Sequence, residues 1–226
     1  MIRNLTGKNS RYESVFLDLD GTITDSYQGM YNGVKYMFGK IGFTDYDESS
    51  LKGFFGPAVV QHLVKEFGFA AEKADEAYGF YKEYYLSKGI FESRLYEGIE
   101  EAVEKIRASG KAVYLATAKP EYQAVRIIEH FGLSRLFDGV FGAIHEEGIF
   151  GKPEVLKRTV ETLGDVKNAV MVGDRFYDIE GGKSVGFDTV GVLYGYGGIE
   201  ELTEAGCDFL ADSPRDLCVL LGRACQ

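Results

Sequence analysis

The stretch Val15-Phe16-Leu17-Asp18-Leu19-Asp20-Gly21-Thr22 constrains this chain more than any other. Val15 to Leu19 is short, β-branched and aromatic, the composition of a strand buried on both faces of a parallel sheet. Two carboxylates at the end of such a strand are costly to build and need a reason. Strand side chains alternate, so Asp18 and Asp20 leave the carboxyl end on related bearings while Leu19 turns into packing. Gly21 lets the chain turn sharply, and the Thr22 hydroxyl is expected to tie down loop amides. Carboxylates this close repel unless a cation sits between them or one keeps its proton.

After this strand the pattern is helical for some ninety residues. Met30, Val34, Met37 and Ile41 form one stripe, and Pro57 is expected to open a second helix carrying Val60, Leu63, Val64 and Phe67. A third helix is expected from Ala71 to Ser87, with no strand pattern between Gly21 and Ala108. Then the rhythm becomes strand, helix, strand: Ala112 to Thr117, a helix opened by Pro120, Gly139 to Ile144, a helix opened by Pro153, Ala169 to Val172, Asp188 to Leu193, and Asp208 to Leu210 before a last helix from Pro214. Such alternation predicts an α/β fold, a parallel sheet covered by helices on both faces. The stretch between the first two strands is far longer than a crossover needs. It is therefore read as a helical cap domain over 26–94, inserted into an α/β core of 1–25 and 95–226. Two chain crossings make a hinge pair, so the insert is a candidate lid.

Composition narrows the function. With 35 acidic against 25 basic residues the net charge is -10, so the overall field repels nucleic acid and anionic membrane. Any phosphate-bearing ligand must then be held by local charge, backbone amides or metal. Cys207, Cys218 and Cys225 are odd in number and lack metal-site spacing, which fits a reducing compartment. Neither a signal peptide nor a membrane span is legible, so a cytoplasmic protein is expected.

Ligands of open α/β sheets sit outside the carboxyl ends of the strands. Those ends carry Asp18 and Asp20, then Thr117, then Asp174 with Asp178, joined by Lys152 at the start of a helix. Oxygen donors of this kind suit Mg²⁺, with Asp18, Asp174 and the Asp20 carbonyl as ligands and Asp178 one helical turn beyond Asp174. Asp18 can attack phosphorus and Asp20 can serve as general acid and then base, while Thr117 and Lys152 hold the phosphoryl oxygens. Lys119 borders the site and is a candidate substrate contact. The tyrosines of Tyr78 to Tyr85 read as helix packing, and no histidine is assigned chemistry.

DLDGT, Thr117, Gly151-Lys152-Pro153 and Gly173-Asp174-Arg175-Phe176-Tyr177-Asp178 resemble the four ordered motifs of the haloacid dehalogenase superfamily of phosphohydrolases. Within it, DGTITDS, Gly53 to Pro57, TAKP and GVLYGYG are similar to the phosphoglycolate phosphatase group and its 5'-nucleotidase-like and pyrophosphatase-like relatives. The resemblance implies a Rossmann-like core with a cap after the first strand, Mg²⁺ as cofactor, and hydrolysis of a small phosphorylated metabolite by a monomer or homodimer. Two positions depart from the pattern. Arg175 stands where a small hydroxyl residue is frequent, and Ala118 where Asn or Ser is. Arg175 is expected either to touch phosphate or to pair with acids outside the site. A phosphomutase of the β-phosphoglucomutase type and a non-catalytic phospho-ligand binding protein are the competing readings. Cleavage of a carbon-phosphorus bond would need a cap lysine, for which Lys52 is the one candidate.

Overall fold

The computed structural model describes residues 1–9, 11–54, 59–164 and 166–222. Phe55, Gly56, Pro57 and Cys225, which figure in the sequence argument, lie outside them. The chain divides into two compact units, Met1–Asp25 with Leu95–Gln226, and Ser26–Arg94.

In chain order the described strands are β1 (Arg3–Asn4), β2 (Ser14–Leu17), β3 (Thr24–Asp25), β4 (Arg94–Leu95), β5 (Ala112–Pro120), β6 (Gly139–Ala143), β7 (Ala169–Gly173), β8 (Asp188–Val192) and β9 (Phe209–Ala211). Seven of them form one sheet in the order β1-β9-β8-β7-β2-β5-β6. All neighbours run parallel except β1, which pairs antiparallel with β9. That antiparallel edge was not expected, because two residues are too few to show a period. The N-terminal segment is further tied down where Lys8 reaches Asp188 and Asp208, and where the Tyr12 hydroxyl donates to Asp188 at 3.0 Å.

The sheet is held by side chains that the sequence marks as apolar. Phe16 stacks between Tyr114, with centroids 5.0 Å apart, and Phe187, at 4.9 Å. With Ala116, Phe141 and Met171 it meets Val155 and Leu156 of the helix Lys152–Leu163. Fully burying a side chain of this size contributes roughly 1.5–3 kcal/mol. Alternation sends Val15 and Leu17, also buried, to the other face. The crossing helices Ile99–Ala108, Glu121–His130, Phe176–Ser184, Ile199–Glu204 and Pro214–Leu221 complete the layers.

The central place of β2 positions the site. Leu17 is in register with Leu115 of β5 on one side and Val172 of β7 on the other. The carboxyl halves of three adjoining strands therefore lie side by side; Asp18 and Asp174 follow β2 and β7, while Thr117 lies within β5, which runs past the expected end at Thr117 to Pro120 with a register shift after Ala116.

The second unit is helical. Its helices Tyr27–Lys40, Val59–Phe67 and Ala71–Ser87 surround Phe38, whose ring packs on Phe43, Tyr46, Phe54, Phe67 and Phe69. Tyr81 and Tyr85 are buried along the third helix. The expectation of helix alone from Gly21 to Ala108 needs one correction, because β3 and β4 pair as a small two-stranded sheet at the chain crossings. Among the described residues no helix is long and apolar enough to cross a membrane.

Candidate active site

The turn after β2 is built by backbone rather than by the Thr22 hydroxyl. Gly21 has φ +82°, a left-handed conformation that a residue with a Cβ adopts only under strain. Its N–H donates to the Thr24 carbonyl at 2.8 Å, and the Ile23 and Thr24 amides both donate to the Leu19 carbonyl at 2.9 Å. The Thr22 hydroxyl is buried without a hydrogen-bond partner, contrary to its expected role. The hydroxyl that bonds within this turn is that of Thr24, which donates to the Leu19 carbonyl at 3.3 Å and lies 3.5 Å from Asp20 Oδ1.

Asp18, Asp174 and Asp178 each offer a carboxylate oxygen within 4.8 Å of the other two. Asp178 opens the helix Phe176–Ser184, where its Oδ2 accepts the Arg175 N–H at 3.1 Å. Lys152 stands among these acids. Its ammonium is 2.6 Å from Asp18 Oδ1, 2.7 Å from Asp178 Oδ1 and 2.7 Å from the Ala116 carbonyl, and its side chain is 2% exposed. The Asp178 contact is an ion pair by distance but is not aligned as a hydrogen bond, so Oδ1 still has no donor. Asp174 Oδ1 likewise is buried with no donor.

Electrostatics follow from this crowding. Burial pushes the Asp18 carboxyl up to about 6, with Lys152 opposing and Asp178 assisting. Asp174 is pushed well up by burial and then by the charges of Asp178 and Asp18, against the pull of the Tyr196 amide. Burial alone would lower Lys152, but Asp178 and Asp18 outweigh it and keep the ammonium charged. Three acids against one lysine leave the cluster short of positive charge. Asp174 Oδ1, a buried carboxylate oxygen without a donor among three converging acids, is a position a hard dication takes, so these residues fit Mg²⁺.

On the other side of Asp18, the Lys119 ammonium is 2.9 Å from Asp20 Oδ2. Thr117 is 2% exposed, and its hydroxyl accepts the Lys119 N–H at 3.2 Å. Ala118 is exposed at the same strand end. Arg175 turns to an acid outside the cluster, with Nε 2.8 Å from Glu201 Oε1, and the Phe176 N–H reaches the same oxygen at 2.9 Å.

The segment Tyr194 to Gly197, beyond β8, belongs to the site although the sequence argument gave it no role. The Tyr196 N–H donates to Asp174 Oδ2 at 2.7 Å, and its hydroxyl donates to Asp25 Oδ1 at 3.2 Å. The Tyr194 hydroxyl donates to the Thr22 carbonyl at 3.1 Å. Gly195 is required here for space: a Cβ would come within 2.6 Å of Asp174 Oδ2. Its place after a strand's carboxyl end was the available signal.

A protein-family model described as haloacid dehalogenase-like hydrolase matches residues 15–192. The chain belongs to that family. A 5'-nucleotidase of Pseudomonas aeruginosa is 32% identical over 193 residues, which cover 85% of this chain and 87% of the relative. The tyrosine-protein kinase PtkA of Mycobacterium tuberculosis is 33% identical over 184 residues, which cover 81% of this chain and 62% of that protein. Among solved structures, a Clostridium acetobutylicum protein described as a predicted phosphatase superposes with TM-score 0.83 at 35% identity, covering 92% of this chain and 96% of the other. This haloacid dehalogenase-like chain is thus an enzyme of the hydrolase type.

Proposed function

We propose that the chain is a Mg²⁺-dependent phosphomonoesterase acting through an aspartyl-phosphate on Asp18, with small soluble phosphate esters such as phosphoglycolate, nucleoside monophosphates or sugar phosphates as substrates. The observation that carries this reading is the buried cluster of Asp18, Asp174 and Asp178 around Lys152, with Asp174 Oδ1 lacking a donor.

Asp18, Asp174 and Asp178, with the Asp20 carbonyl, are the proposed holders of Mg²⁺. Bound there, the ion supplies positive charge to the transferring phosphoryl group and offsets the acids. An Asp18 carboxylate oxygen attacks phosphorus, the bond from phosphorus to the alkoxy oxygen breaks, and Asp20 gives its proton to that oxygen. Asp20, now a carboxylate, takes a proton from water as the water oxygen attacks phosphorus, and inorganic phosphate leaves with Asp18 restored. Thr117 and Lys152 hold the phosphoryl oxygens while charge spreads over them. The helical unit is the proposed cap that selects substrate.

A second reading is favoured by the Mycobacterium tuberculosis relative, whose name describes transfer to tyrosine. There the same Asp18 adduct would be discharged to a hydroxyl other than water. The test is a phosphate-release screen over a panel of metabolites with and without Mg²⁺. Mg²⁺-dependent release of inorganic phosphate is expected. Label that passes from substrate to a tyrosine or sugar hydroxyl without release would support the second reading, and no turnover of any phosphate would overturn both.

A further inference from the structure

The turn that joins Asp174 to Asp178 is completed by a side chain from elsewhere in the chain. Asp174 follows β7, Asp178 stands in the first turn of the helix Phe176–Ser184, and Arg175 is the residue on which that helix opens. The first amides of a helix have no partner within it, and a side-chain oxygen on the opening residue commonly accepts one of them. Arginine carries donors only. The helix that bears Asp178 therefore cannot be capped by its own opening side chain.

Glu201 supplies what Arg175 lacks. Its Oε1 accepts the Phe176 N–H at 2.9 Å and the Arg175 Nε–H at 2.8 Å, so one carboxylate oxygen closes the helix end and holds the residue before it. A negative charge there also complements the helix dipole. Glu201 is itself firmly held, because it lies in the helix Ile199–Glu204, whose Leu202 is fully buried with Cys207, Leu210 and Ile179 of the helix Phe176–Ser184. The approach is close: a Cβ at Gly197 would strike the Asp174 carbonyl. The Arg175 and Glu201 side chains are 24% and 28% exposed, so their charges alone contribute little. The bond to the helix end matters more, since Asp178 lies two residues beyond Phe176 and its Oδ2 accepts the Arg175 N–H at 3.1 Å.

We propose that Glu201 is a positioning residue for the metal-holding acids: by capping the helix Phe176–Ser184 from outside, through Phe176 and Arg175, it fixes Asp178 against Asp174 and so sets the affinity for Mg²⁺. This rests on the Mg²⁺ site of the proposed function and deepens it. Glu201 acts through the turn and not on the ion or the phosphate ester. Without it the Phe176 amide loses its partner, the first turn of the helix loosens, and Asp178 Oδ1 is no longer held in its place 2.7 Å from Lys152.

The test measures Mg²⁺ binding to the full-length protein by calorimetric titration, together with melting in chelator. Glu201→Ala is expected to raise the Mg²⁺ Kd about tenfold, the low end for outer partners of metal ligands. Glu201→Gln keeps an acceptor for the Phe176 N–H and should recover part of that loss. The decisive variant is Arg175→Ser in the Glu201→Ala background. A serine hydroxyl at that place accepts an amide of the same turn, so the double variant should bind Mg²⁺ within about threefold of the wild type. Two unrelated defects would instead add, leaving it about tenfold weaker or worse. A Glu201→Ala variant with unchanged Kd, whatever its melting temperature, would show a structural role only and overturn the proposal, as would a double variant that binds no tighter than the single one. A wild type that binds no Mg²⁺ would overturn the metal assignment and this proposal together. Mg²⁺ binding that depends on Glu201, in a protein that releases phosphate from no ester, would uphold the proposal and reject the phosphomonoesterase reading.

Discussion

Replacing Lys152 by Met tests whether the acid cluster is built for a cation. Methionine fills most of the lysine's volume but carries no charge. The substitution leaves Asp18, Asp174 and Asp178 buried together, where Lys152 had stood 2.6 Å from one and 2.7 Å from another. Removing one partner of a buried ion pair costs about 3–5 kcal/mol. In a chain of 226 residues each kcal/mol is worth about 2–4 °C, so the melting temperature with chelator present should fall by about 6–20 °C. Proton uptake limits the cost, since the Asp18 carboxyl is already pushed up to about 6, and the melt is therefore run near pH 8. Lys152 also competes with any cation for the same oxygens. Its removal frees them and should tighten Mg²⁺ binding, and saturation to a hundred times Kd adds about 2.7 kcal/mol to stability. Scanning calorimetry with chelator and with millimolar Mg²⁺ should thus show a larger Mg²⁺-induced rise in the variant than in the wild type, together with loss of turnover. A variant within about 1 kcal/mol of wild type in chelator, or one that gains no more from Mg²⁺ than wild type does, would refute the reasoning.

Asp18→Asn keeps shape and removes the nucleophile, so phosphate release should drop by at least about a thousandfold while the melting transition stays cooperative; turnover near wild type would reject Asp18 as the attacking group. Gly195→Ala puts a Cβ within 2.6 Å of Asp174 Oδ2. It should cost about 1–3 kcal/mol by overpacking and weaken Mg²⁺ binding in calorimetric titration, because Asp174 must move. Asp208 supplies a pH test away from the site. Burial pushes its carboxyl up, but Lys8, the Thr189 amide and the Thr6 hydroxyl outweigh burial and hold it below the usual value. A depressed folded value means stability present above the unfolded value near 3.8 and lost as pH falls through the folded one. Asp208→Asn should therefore lose less stability than wild type in urea melts as pH drops below about 4, and an unchanged acid limb would contradict the assignment.

The sequence was legible where chemistry and periodicity coincide. Asp18, Asp20, Thr117 and Asp174 stand out because each follows an apolar run of a strand, where polar groups need a reason, while Lys152 and Asp178 stand in the first turns of the helices Lys152–Leu163 and Phe176–Ser184. The helix Ala71–Ser87 could be found because its apolar spacing runs for several turns before Gly89. What stayed hidden was short or backbone-made. β1, β3 and β4 span two residues each and show no period. The turn at Gly21 is closed by amides and by Thr24, so side-chain logic pointed to the wrong hydroxyl, Thr22. Tyr196 contributes to Asp174 through its N–H, a group that every residue but proline carries, and so its identity held no clue. Phe38, at the centre of the helical unit's ring cluster, lies one residue from the Met37 stripe and fell outside the chosen spacing.

The different partners of the two lysines, Asp20 for Lys119 and Asp18 with Asp178 for Lys152, bear on which acceptor would discharge Asp18 in the proposed mechanism. Lys152 lies with the acids that hold the phosphoryl group, which every acceptor meets alike, and so it cannot choose between water, tyrosine and sugar. In the proposed mechanism Asp20 activates whichever hydroxyl comes next, and Lys119 is its ionic neighbour. In that mechanism Lys119, 2.9 Å from Asp20 Oδ2, would hold the Asp20 carboxylate as an oriented base once the first alcohol has left. Water needs nothing more than such a base. A tyrosine or sugar acceptor would need further contacts to outcompete water at Asp20. In the proposed mechanism, then, hydrolysis needs only Asp20, and transfer to a tyrosine or sugar hydroxyl needs contacts beyond it.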